Sequence, residues 1–388
     1  MVLPVAFDGK RVAALAIEIA SRLNLPHDVC DQVGAAAMHV PPLPEPGSPG
    51  FERLLHAVVD PVEPSAPAPK AAGEPIGGIL EVARMFDSAV QSLVYEPRPI
   101  SAILDDIAAL AADGFLYPNA VSALQRMRAE APSIAPSVYP AVLAKALALA
   151  RNEDASLGQV EAVVRTDQAL ASSVLRVANS ALYAPPVPIR TIKRALSRID
   201  LDITQKTLLA AAAHSMFASA RLRDLWRHSI HVAAIAEQLA RTAGRHHPDE
   251  AFVSGLIHDI GRLVIATLPP DASATHGAIA DTSGCVVFAD LAVFGVDHGE
   301  IGAALLKQWN LPDVLVHAVE FHHRPELEPR GLAAVLHAAE FAAGSDEEAP
   351  SIARLRIAMD AAGVPSVGQM LERAAPDARV VDALAVAA

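Results

Sequence analysis

The segments HSIHVAAIAEQLA, at residues 228–240, and GLIHDIGR, at residues 255–262, decide the fold of this chain. Apolar residues recur at helical spacing in the first segment, and an apolar run precedes the polar pair of the second. The polar residues 244–248 between them favour a turn, so we predict a hairpin of two helices. Its length allows His228 in the first helix to face His258 at the end of the second.

Histidine and carboxylate residues continue beyond this hairpin. Asp259 follows His258 directly, and the later helical segments carry further candidates, namely His298, His322, His323 and Glu340. Neutral imidazole binds divalent first-row metals, and a carboxylate can bridge two ions. A set without thiolates favours one or two ions of Fe, Mn or Zn over a structural zinc. Two ions bridged by Asp259 would polarise a phosphate and activate water for attack on it.

Not every histidine belongs to this candidate site. A single histidine on an amphipathic helix is more often a packed or capping residue than a metal ligand. We assign to that class His231, His246, His247, His276, His317 and His337.

The composition favours an all-α protein. Hydrophobic residues make up 52% of the 388 residues and aromatic residues only 4%, so the core must consist mainly of Ala, Leu, Val and Ile. These side chains suit close packing of helices, and Ala has the highest helix propensity. The net charge of −13 argues against a nucleic-acid-binding protein, which would carry a basic face. We interpret the basic run at residues 190–198 as a solvated helix face, with a local basic patch as the alternative.

Two observations predict a cytoplasmic protein that does not contact a membrane. Cys30 and Cys285 are far apart and outside any CxxC spacing, as expected of a chain without a disulfide framework in a reducing compartment. The N-terminus lacks the apolar core of a signal peptide, and the apolar runs are much shorter than the ~18 residues of a membrane span.

Proline-rich segments divide the chain. Residues 41–70 have the composition of a linker or loop, and residues 130–137 mark a boundary between two helical regions. We therefore predict one helical domain at residues 1–128, a second at residues 132–345 and a helical tail at residues 346–388.

An internal repeat connects the two regions. Residues 11–39 resemble residues 231–258, and both stretches predict a long helix, a polar turn and a second helix that ends in a histidine. The alternative is that any two Ala-rich amphipathic hairpins look alike. We favour the repeat.

The motifs around His228 and GLIHDIGR resemble the HD superfamily of metal-dependent phosphohydrolases. The upstream sequence is similar to one branch, the HDOD domain, through PSIAPSVYPAVLAKAL (132–147), VVRTDQALASSVLRVANSALY (163–183), IRTIKRAL (189–196) and DHGEIGAALLKQWNLPDVLVHAVEFHH (297–323). Asp167, Asn179 and Ser180 match its pattern. The resemblance covers about residues 132–345. It implies a helical bacterial signalling module, often without demonstrated catalysis, in pathways that include those of cyclic dinucleotides.

The resemblance also assigns residues to the site. It implies that the metal ligands are His228, His258, Asp259, His298, His322, His323 and Glu340. Two positions depart from the active pattern, because Glu340 stands where Asp is usual and Arg262 stands where Lys often follows the motif. Arg262 keeps the positive charge and could pair with phosphate as a planar fork. If the site is catalytic, we expect Asp259 and Arg262 to carry the reaction.

The N-terminal region resembles a degenerate copy of the HD-GYP phosphodiesterases. The matching stretches are DGKRVAALAIEIASRLNLP (8–26), AAAMHV (35–40), ILEVARMFDSAVQSLVYEPRPIS (79–101) and FLYPNAVSALQRM (115–127). Three metal-binding positions of that family fall on Asp8, Val40 and Arg84, and the segment between the matches has neither the HH pair nor the GYP motif. The resemblance therefore implies a catalytically inactive half that serves as a sensor or scaffold.

These observations support two functional hypotheses. The leading one is a non-enzymatic signal-transduction protein whose HDOD domain acts through protein partners, with or without a bound metal. The alternative is a metal-dependent phosphohydrolase that acts on a nucleotide or a cyclic dinucleotide. In that alternative one ion would be held by His228, His258, Asp259 and Glu340, and a second by Asp259, His298, His322 and His323. The sequence leaves a homodimer open.

Overall fold

The computed structural model describes residues 9–39, 75–93, 98–127, 146, 156–165, 168–180, 182–214, 223–268, 270–344, 352–374 and 381. The first helices are α1 (Gly9–Arg22), α2 (His27–Ala37), α3 (Pro75–Ser92), α4 (Ile100–Ala112), α5 (Pro118–Met127), α6 (Leu157–Val164), α7 (Gln168–Ala178), α8 (Ile192–Leu196) and α9 (Leu201–His214). They are followed by α10 (Arg223–Ala243), α11 (Pro248–Ile257), α12 (Ile260–Ile265), α13 (Pro270–Ser283), α14 (Val286–Phe294), α15 (His298–Gln308), α16 (Asp313–Phe321), α17 (Leu332–Ala343), α18 (Ile352–Ala361) and α19 (Val367–Arg373). The described residues contain no strand, so the prediction of an all-α fold is confirmed. Within the same residues, no helix has both the length and the apolar character needed to cross a membrane.

The chain divides into two compact units. Unit 1 comprises Met1–Ser133, Leu268–Asp297 and Asp346–Ser351, and unit 2 comprises Ile134–Thr267, His298–Ser345 and Ile352–Ala388. Unit 1 therefore contains α1–α5, α13 and α14, and the remaining helices belong to unit 2. The predicted domain boundaries near residues 128, 132 and 345 stay predictions.

Unit 1 contains the hairpin of α1 and α2. α1 packs against α2, α3 and α13, and its apolar residues Val12, Leu15 and Ile19 are fully buried. The same helix carries Arg11, whose Nε donates to Asp87 Oδ1 on α3 at 2.6 Å. Because both side chains are buried, this ion pair forms part of the core of unit 1.

The HD-GYP resemblance concerns three positions of this unit. Arg84 pairs with Glu81 on the same helix, and its Nη2 lies 2.6 Å from Glu81 Oε1. Asp8 and Val40 lie outside the described residues, as does the Pro-rich segment 41–70. The degenerate HD-GYP domain therefore stays a prediction.

Unit 2 contains a second hairpin, formed by α10 and α11. α10 packs against α11 and α17, and α15 packs against α12 and α16. Small side chains allow this close packing, since Ala233, Ala236 and Ala240 of α10 are fully buried. The hairpin turns at Gly244, whose φ of 65° lies in the left-handed region that favours glycine. Pro248 then begins α11. Proline suits this position because it lacks an N–H group, and the N–H groups of the first helical turn have no partner within the helix.

The two segments of the proposed repeat have the same local structure. Each one forms a helix, a short turn and a second helix. His39 lies two residues beyond the end of α2, and His258 directly follows α11. The two hairpins therefore carry a histidine at a similar place.

Candidate metal centre

The seven predicted metal ligands come from separate elements of unit 2. His228 lies on α10, the pair His258–Asp259 joins α11 to α12, and His298 begins α15. The pair His322–His323 follows α16, and Glu340 lies on α17. The structure brings these side chains together in one cluster, which we call the His–Asp–Glu centre.

His228, His258 and Glu340 form one side of the centre. His258 Nε2 lies 3.0 Å from Glu340 Oε1, and His228 Nε2 lies 3.7 Å from the same oxygen. Three ligand atoms, one from each residue, lie within 4.8 Å of one another. Two ligands bound to one ion at about 2.1 Å are up to about 4.2 Å apart. The longer side chain of Glu340 therefore still reaches a position from which it can bind an ion with these histidines.

His298, His322 and His323 form the other side, and their ligand atoms also lie within 4.8 Å of one another. His298 Nε2 lies 2.8 Å from His323 Nε2. Two ring nitrogens that face each other can share only one N–H, whereas both can donate lone pairs to the same cation. Asp259 reaches both sides, because its Oδ1 lies 3.1 Å from His298 Nε2 and its Oδ2 lies 3.4 Å from His258 Nε2.

Two glycines allow the helices to approach closely enough to form the centre. A Cβ on Gly261 would overlap the carbonyl oxygen of His298, so α12 and α15 are in main-chain contact there. This contact keeps His298 beside Asp259. Gly255 has a similar role between α10 and α11, since a Cβ there would lie 2.6 Å from Ala233 Cα.

Main-chain carbonyls orient two of the imidazole rings. His258 Nδ1 lies 2.7 Å from Gly255 O, and His322 Nδ1 lies 2.7 Å from Val319 O. Because a carbonyl oxygen only accepts hydrogen bonds, each Nδ1 carries a proton and donates it. Nε2 is then the ring atom available to an ion, and this arrangement is typical of metal-binding histidines.

The charges of the centre set the protonation of its groups. Burial lowers the pKa of His258, but the carboxylates of Asp259 and Glu340 outweigh burial and raise this pKa to about 9. Burial lowers the pKa of His322 to about 4 and holds the pKa of His323 well below its usual range. Burial would raise the pKa of the two carboxyls, yet the surrounding histidines hold both values well below the usual range. His322 and His323 are therefore in the neutral form that binds a metal.

Unsatisfied ligand atoms test whether a metal fits this centre. The buried atoms without a well-aligned hydrogen bond include His228 Nε2, His258 Nε2, Asp259 Oδ1, His322 Nε2 and Glu340 Oε1. Charged contacts within this set are nevertheless short, since Glu340 Oε1 lies 3.0 Å from His258 Nε2 and Asp259 Oδ1 lies 3.1 Å from His298 Nε2. Buried polar groups nearly always have partners, and an unsatisfied one costs about 1–3 kcal/mol. Divalent cations would give these atoms partners, and imidazole with carboxylate is a donor set that first-row metals prefer. Within the described residues, every group of side chains close enough to hold an ion belongs to this centre.

Two partly exposed side chains lie near Asp259 Oδ2. Arg262 Nη1 lies 3.1 Å from this oxygen, and His228 Nε2 lies 4.0 Å from it. The side chains of Arg262 and His228 are 26% and 22% exposed, whereas those of Asp259 and His298 are fully buried. The predicted role of Arg262 in binding phosphate stays a prediction.

Sequence reasoning did not predict that one of the packed or capping histidines, His337, lies beside the centre. It is assigned above to the packed or capping histidines, and the structure shows it buried on α17, with its Nδ1 3.0 Å from the carbonyl oxygen of His322. The available signal was its spacing, since residues three apart on a helix share a face and Glu340 lies three residues later. His276 of unit 1 is packed as well. Its Nε2 pairs with Asp290, and its ring stacks on Phe294.

The motif residues outside the centre include a structural clamp. Asn179 Nδ2 donates to Leu175 O at 2.8 Å and to Ile189 O at 2.9 Å, and its Oδ1 accepts from Ile189 N at 2.7 Å. Asn179 thereby holds the connection between α7 and α8. Ser180 follows it, and Asp167 lies outside the described residues.

Comparison with solved structures places this architecture among known folds. A proposed phosphohydrolase from Shewanella amazonensis SB2B is 27% identical and aligns with a TM-score of 0.52 over 68% of this chain and 97% of its own. An HDOD domain protein with unknown function from Geobacter sulfurreducens is 23% identical, with a TM-score of 0.50 over 64% of this chain and 87% of its own. A proposed signal transduction protein from Marinobacter aquaeolei VT8 is 22% identical, with a TM-score of 0.52 over 63% of this chain and 57% of its own. The similarity to the proteins from Geobacter sulfurreducens and Marinobacter aquaeolei concerns the fold alone.

Sequence comparison identifies the family of the central region. An uncharacterized protein from Treponema pallidum (strain Nichols) is 28% identical over 176 residues, which are 44% of this chain and 34% of that protein. This chain therefore spans about a third of the length of that relative. The family model of the HDOD domain matches residues 136–325, a range that includes every predicted ligand except Glu340. Residues 136–325 of this chain are therefore an HDOD domain, as predicted from the motifs.

Proposed function

We propose that this chain is a signal-transduction protein whose HDOD domain binds one or two divalent ions of Fe, Mn or Zn and acts through protein partners. One observation carries the metal-binding part, namely the convergence of buried imidazole and carboxylate atoms that lack well-aligned hydrogen bonds. The signalling part rests on the HDOD family of residues 136–325. The N-terminal region would serve this module as a sensor or scaffold.

The side chains divide naturally between two ion positions. One ion would be held by His228, His258 and Glu340, a second by His298, His322 and His323, and Asp259 would be shared by both. A bound divalent ion supplies Lewis-acid chemistry, because it polarises a phosphoryl oxygen and lowers the pKa of water. The main-chain carbonyls of Gly255 and Val319 orient two of the ligands before an ion binds.

Metal analysis of the full-length protein tests this proposal. The protein is purified without chelators, and Fe, Mn and Zn are measured by mass spectrometry before and after reconstitution. We expect Asp259→Ala to lose most of the metal, since it removes the carboxylate that reaches both sides of the centre. His231→Ala is the matched control, because His231 is an exposed histidine of the same helix as His228. The proposal fails if the wild type binds none of these metals, or if Asp259→Ala leaves the metal content unchanged.

Affinity capture tests the partner role. We expect specific partners to be enriched with the full-length protein from its own cells, and to be lost with Asp259→Ala if the metal organises the binding surface. Absence of any interactor, together with robust turnover by the purified protein, would replace this proposal by an enzymatic one.

A second candidate function is a metal-dependent phosphohydrolase that acts on a nucleotide or a cyclic dinucleotide. It is favoured by the position of Arg262 at the exposed edge of the centre, since a guanidinium can donate two parallel hydrogen bonds to a phosphate. The name of the relative from Shewanella amazonensis also supports it. The test is hydrolysis of bis(p-nitrophenyl) phosphate and of a cyclic dinucleotide by the metal-loaded protein. Turnover that disappears in Asp259→Ala would establish this activity, and turnover equal in the two proteins would exclude it from this centre.

A further inference from the structure

We infer that His337 is a positioning residue that aligns the His322–His323 pair with Glu340. The inference rests on the proposed binding of metal at the His–Asp–Glu centre. It concerns a residue outside the ligand set. This residue lies on the same helix as the ligand Glu340 and is hydrogen-bonded to the main chain of the ligand His322.

The position of His337 on α17 makes this link possible. His337 lies one helical turn before Glu340, so both side chains project from the same face of the helix. Its Nδ1 donates to the carbonyl oxygen of His322 at 3.0 Å, since a carbonyl can only accept. His322 directly follows α16, and the last carbonyls of a helix have no partner within it. His337 supplies a donor to one of them.

The hydrogen bond connects two elements that carry three ligands. The ring of His322 is held by Val319 O at 2.7 Å, and its carbonyl is held by His337. Fixing the main chain at His322 also fixes the next residue, His323, whose Nδ1 lies 3.8 Å from Glu340 Oε2. A single side chain of α17 therefore sets the distance between the histidine pair and the carboxylate of the same helix.

A packing role is the competing explanation, because His337 is only 7% exposed. Two amide substitutions separate the roles. In His337→Asn the amide nitrogen takes nearly the place of Nδ1 and can still donate to the carbonyl of His322. In His337→Gln the same amide lies one bond further along the side chain, near the place of Nε2, where this hydrogen bond is lost. A packing role predicts the reverse order, because Gln fills nearly the length of His and the shorter Asn leaves a cavity.

The experiment is a titration of the metal-free full-length protein with Co²⁺, followed by visible absorption. The absorption bands of bound Co²⁺ report the number and geometry of its ligands. We expect His337→Asn to bind Co²⁺ within about threefold of the wild type, and His337→Gln to bind about 10–100-fold more weakly with altered bands. His231→Gln is the control and should match the wild type. Melting of the metal-free variants by circular dichroism shows that each one is folded, and if His337→Gln does not fold, His337→Phe replaces it with the same expected loss.

The outcomes are distinct. Equal Co²⁺ affinity of the Asn and Gln variants, or tighter binding by the Gln variant, overturns the positioning role. Absence of Co²⁺ binding by the wild type refutes the proposed function and, with it, this inference.

Discussion

Substitution of Gly261 by Ala is expected to damage the metal centre without removing a ligand. Gly261 lies on α12, two residues after Asp259, and contacts the start of α15. An added Cβ would overlap the carbonyl oxygen of His298, and would lie 2.8 Å from its carbonyl carbon and 2.9 Å from Gly302 N. All of these are main-chain atoms, so no side-chain rotation can relieve the overlap.

The structure gives the size of the effect. Ordinary van der Waals contact begins at 3.4 Å, and the carbonyl carbon of His298 would lie 2.8 Å from the new Cβ. To relieve this contact alone, α15 must move away from α12 by about 0.6 Å, and the closer carbonyl oxygen requires a larger movement. Distances in metal sites vary by only about ±0.2 Å. His298 Nε2 lies 3.1 Å from Asp259 Oδ1, so this movement separates two ligands by more than a metal site tolerates. We expect the Kd for metal to rise at least tenfold. We also expect the free energy of unfolding to fall by about 1–3 kcal/mol, the usual cost of overpacking.

The assay combines Co²⁺ titration with urea unfolding of the metal-free protein. Gly277→Ala is the matched control, because Gly277 lies within α13 and a Cβ there meets nothing within 4 Å. Replacing a helical glycine by alanine without a clash is expected to raise stability by about 0.5–1 kcal/mol. The two substitutions are chemically identical and should therefore change stability in opposite directions.

Two results would contradict this reasoning. If Gly261→Ala unfolds at the wild-type urea concentration and binds Co²⁺ normally, α12 and α15 are not in main-chain contact. If it loses stability but keeps the wild-type Kd, the contact exists but does not control the position of His298.

Two further predictions concern protonation and the Asn179 clamp. His258 has a pKa of about 9 in the metal-free protein, so it is protonated at pH 7. Because it must release a proton when a metal binds, we expect the affinity for the metal to rise about tenfold per pH unit from pH 6 to 8. Calorimetry in two buffers with different heats of ionisation measures that proton, and identical apparent enthalpies would contradict the prediction. Asn179→Ala removes three hydrogen bonds and leaves the N–H of Ile189 without the acceptor Asn179 Oδ1. We therefore expect the free energy of unfolding, measured in urea, to fall by about 1–3 kcal/mol. An unchanged midpoint would show that the α7–α8 connection is held by other contacts.

Part of the centre could be predicted because its spacing is local. His228 and His258 lie on one hairpin, where helix length and turn position alone bring the two side chains together. Asp259 is adjacent in sequence to His258 and follows it automatically. Glu340 was predicted from the family resemblance and not from local spacing. It lies beyond residues 136–325 that match the HDOD family, and the packing of α17 against α10 brings it to the centre.

The hydrogen-bond partner of His337, a residue assigned to the packed or capping histidines, could not be predicted for a related reason. The pattern of an apolar helix shows that a histidine within it is buried, but it does not show which main-chain group lies opposite. The carbonyl of His322 becomes the partner of His337 only when α16 and α17 pack together. A hydrogen bond between residues of different helices cannot be inferred from the periodicity of either one.

The helical class, the two hairpins and the motifs of the HDOD domain were predictable without a structure. Composition and periodicity are sufficient for these features, because each depends on residues close together in the chain. Tertiary structure decided which faces meet. Residues 268–297 belong to the compact unit of the N-terminal residues, although α12 and α15 on either side of them belong to the other unit. The same is true of the proposed metal centre, whose ligands come from separate helices. They lie together only because main-chain contact at Gly261 and the packing of α17 bring them into groups that could hold an ion.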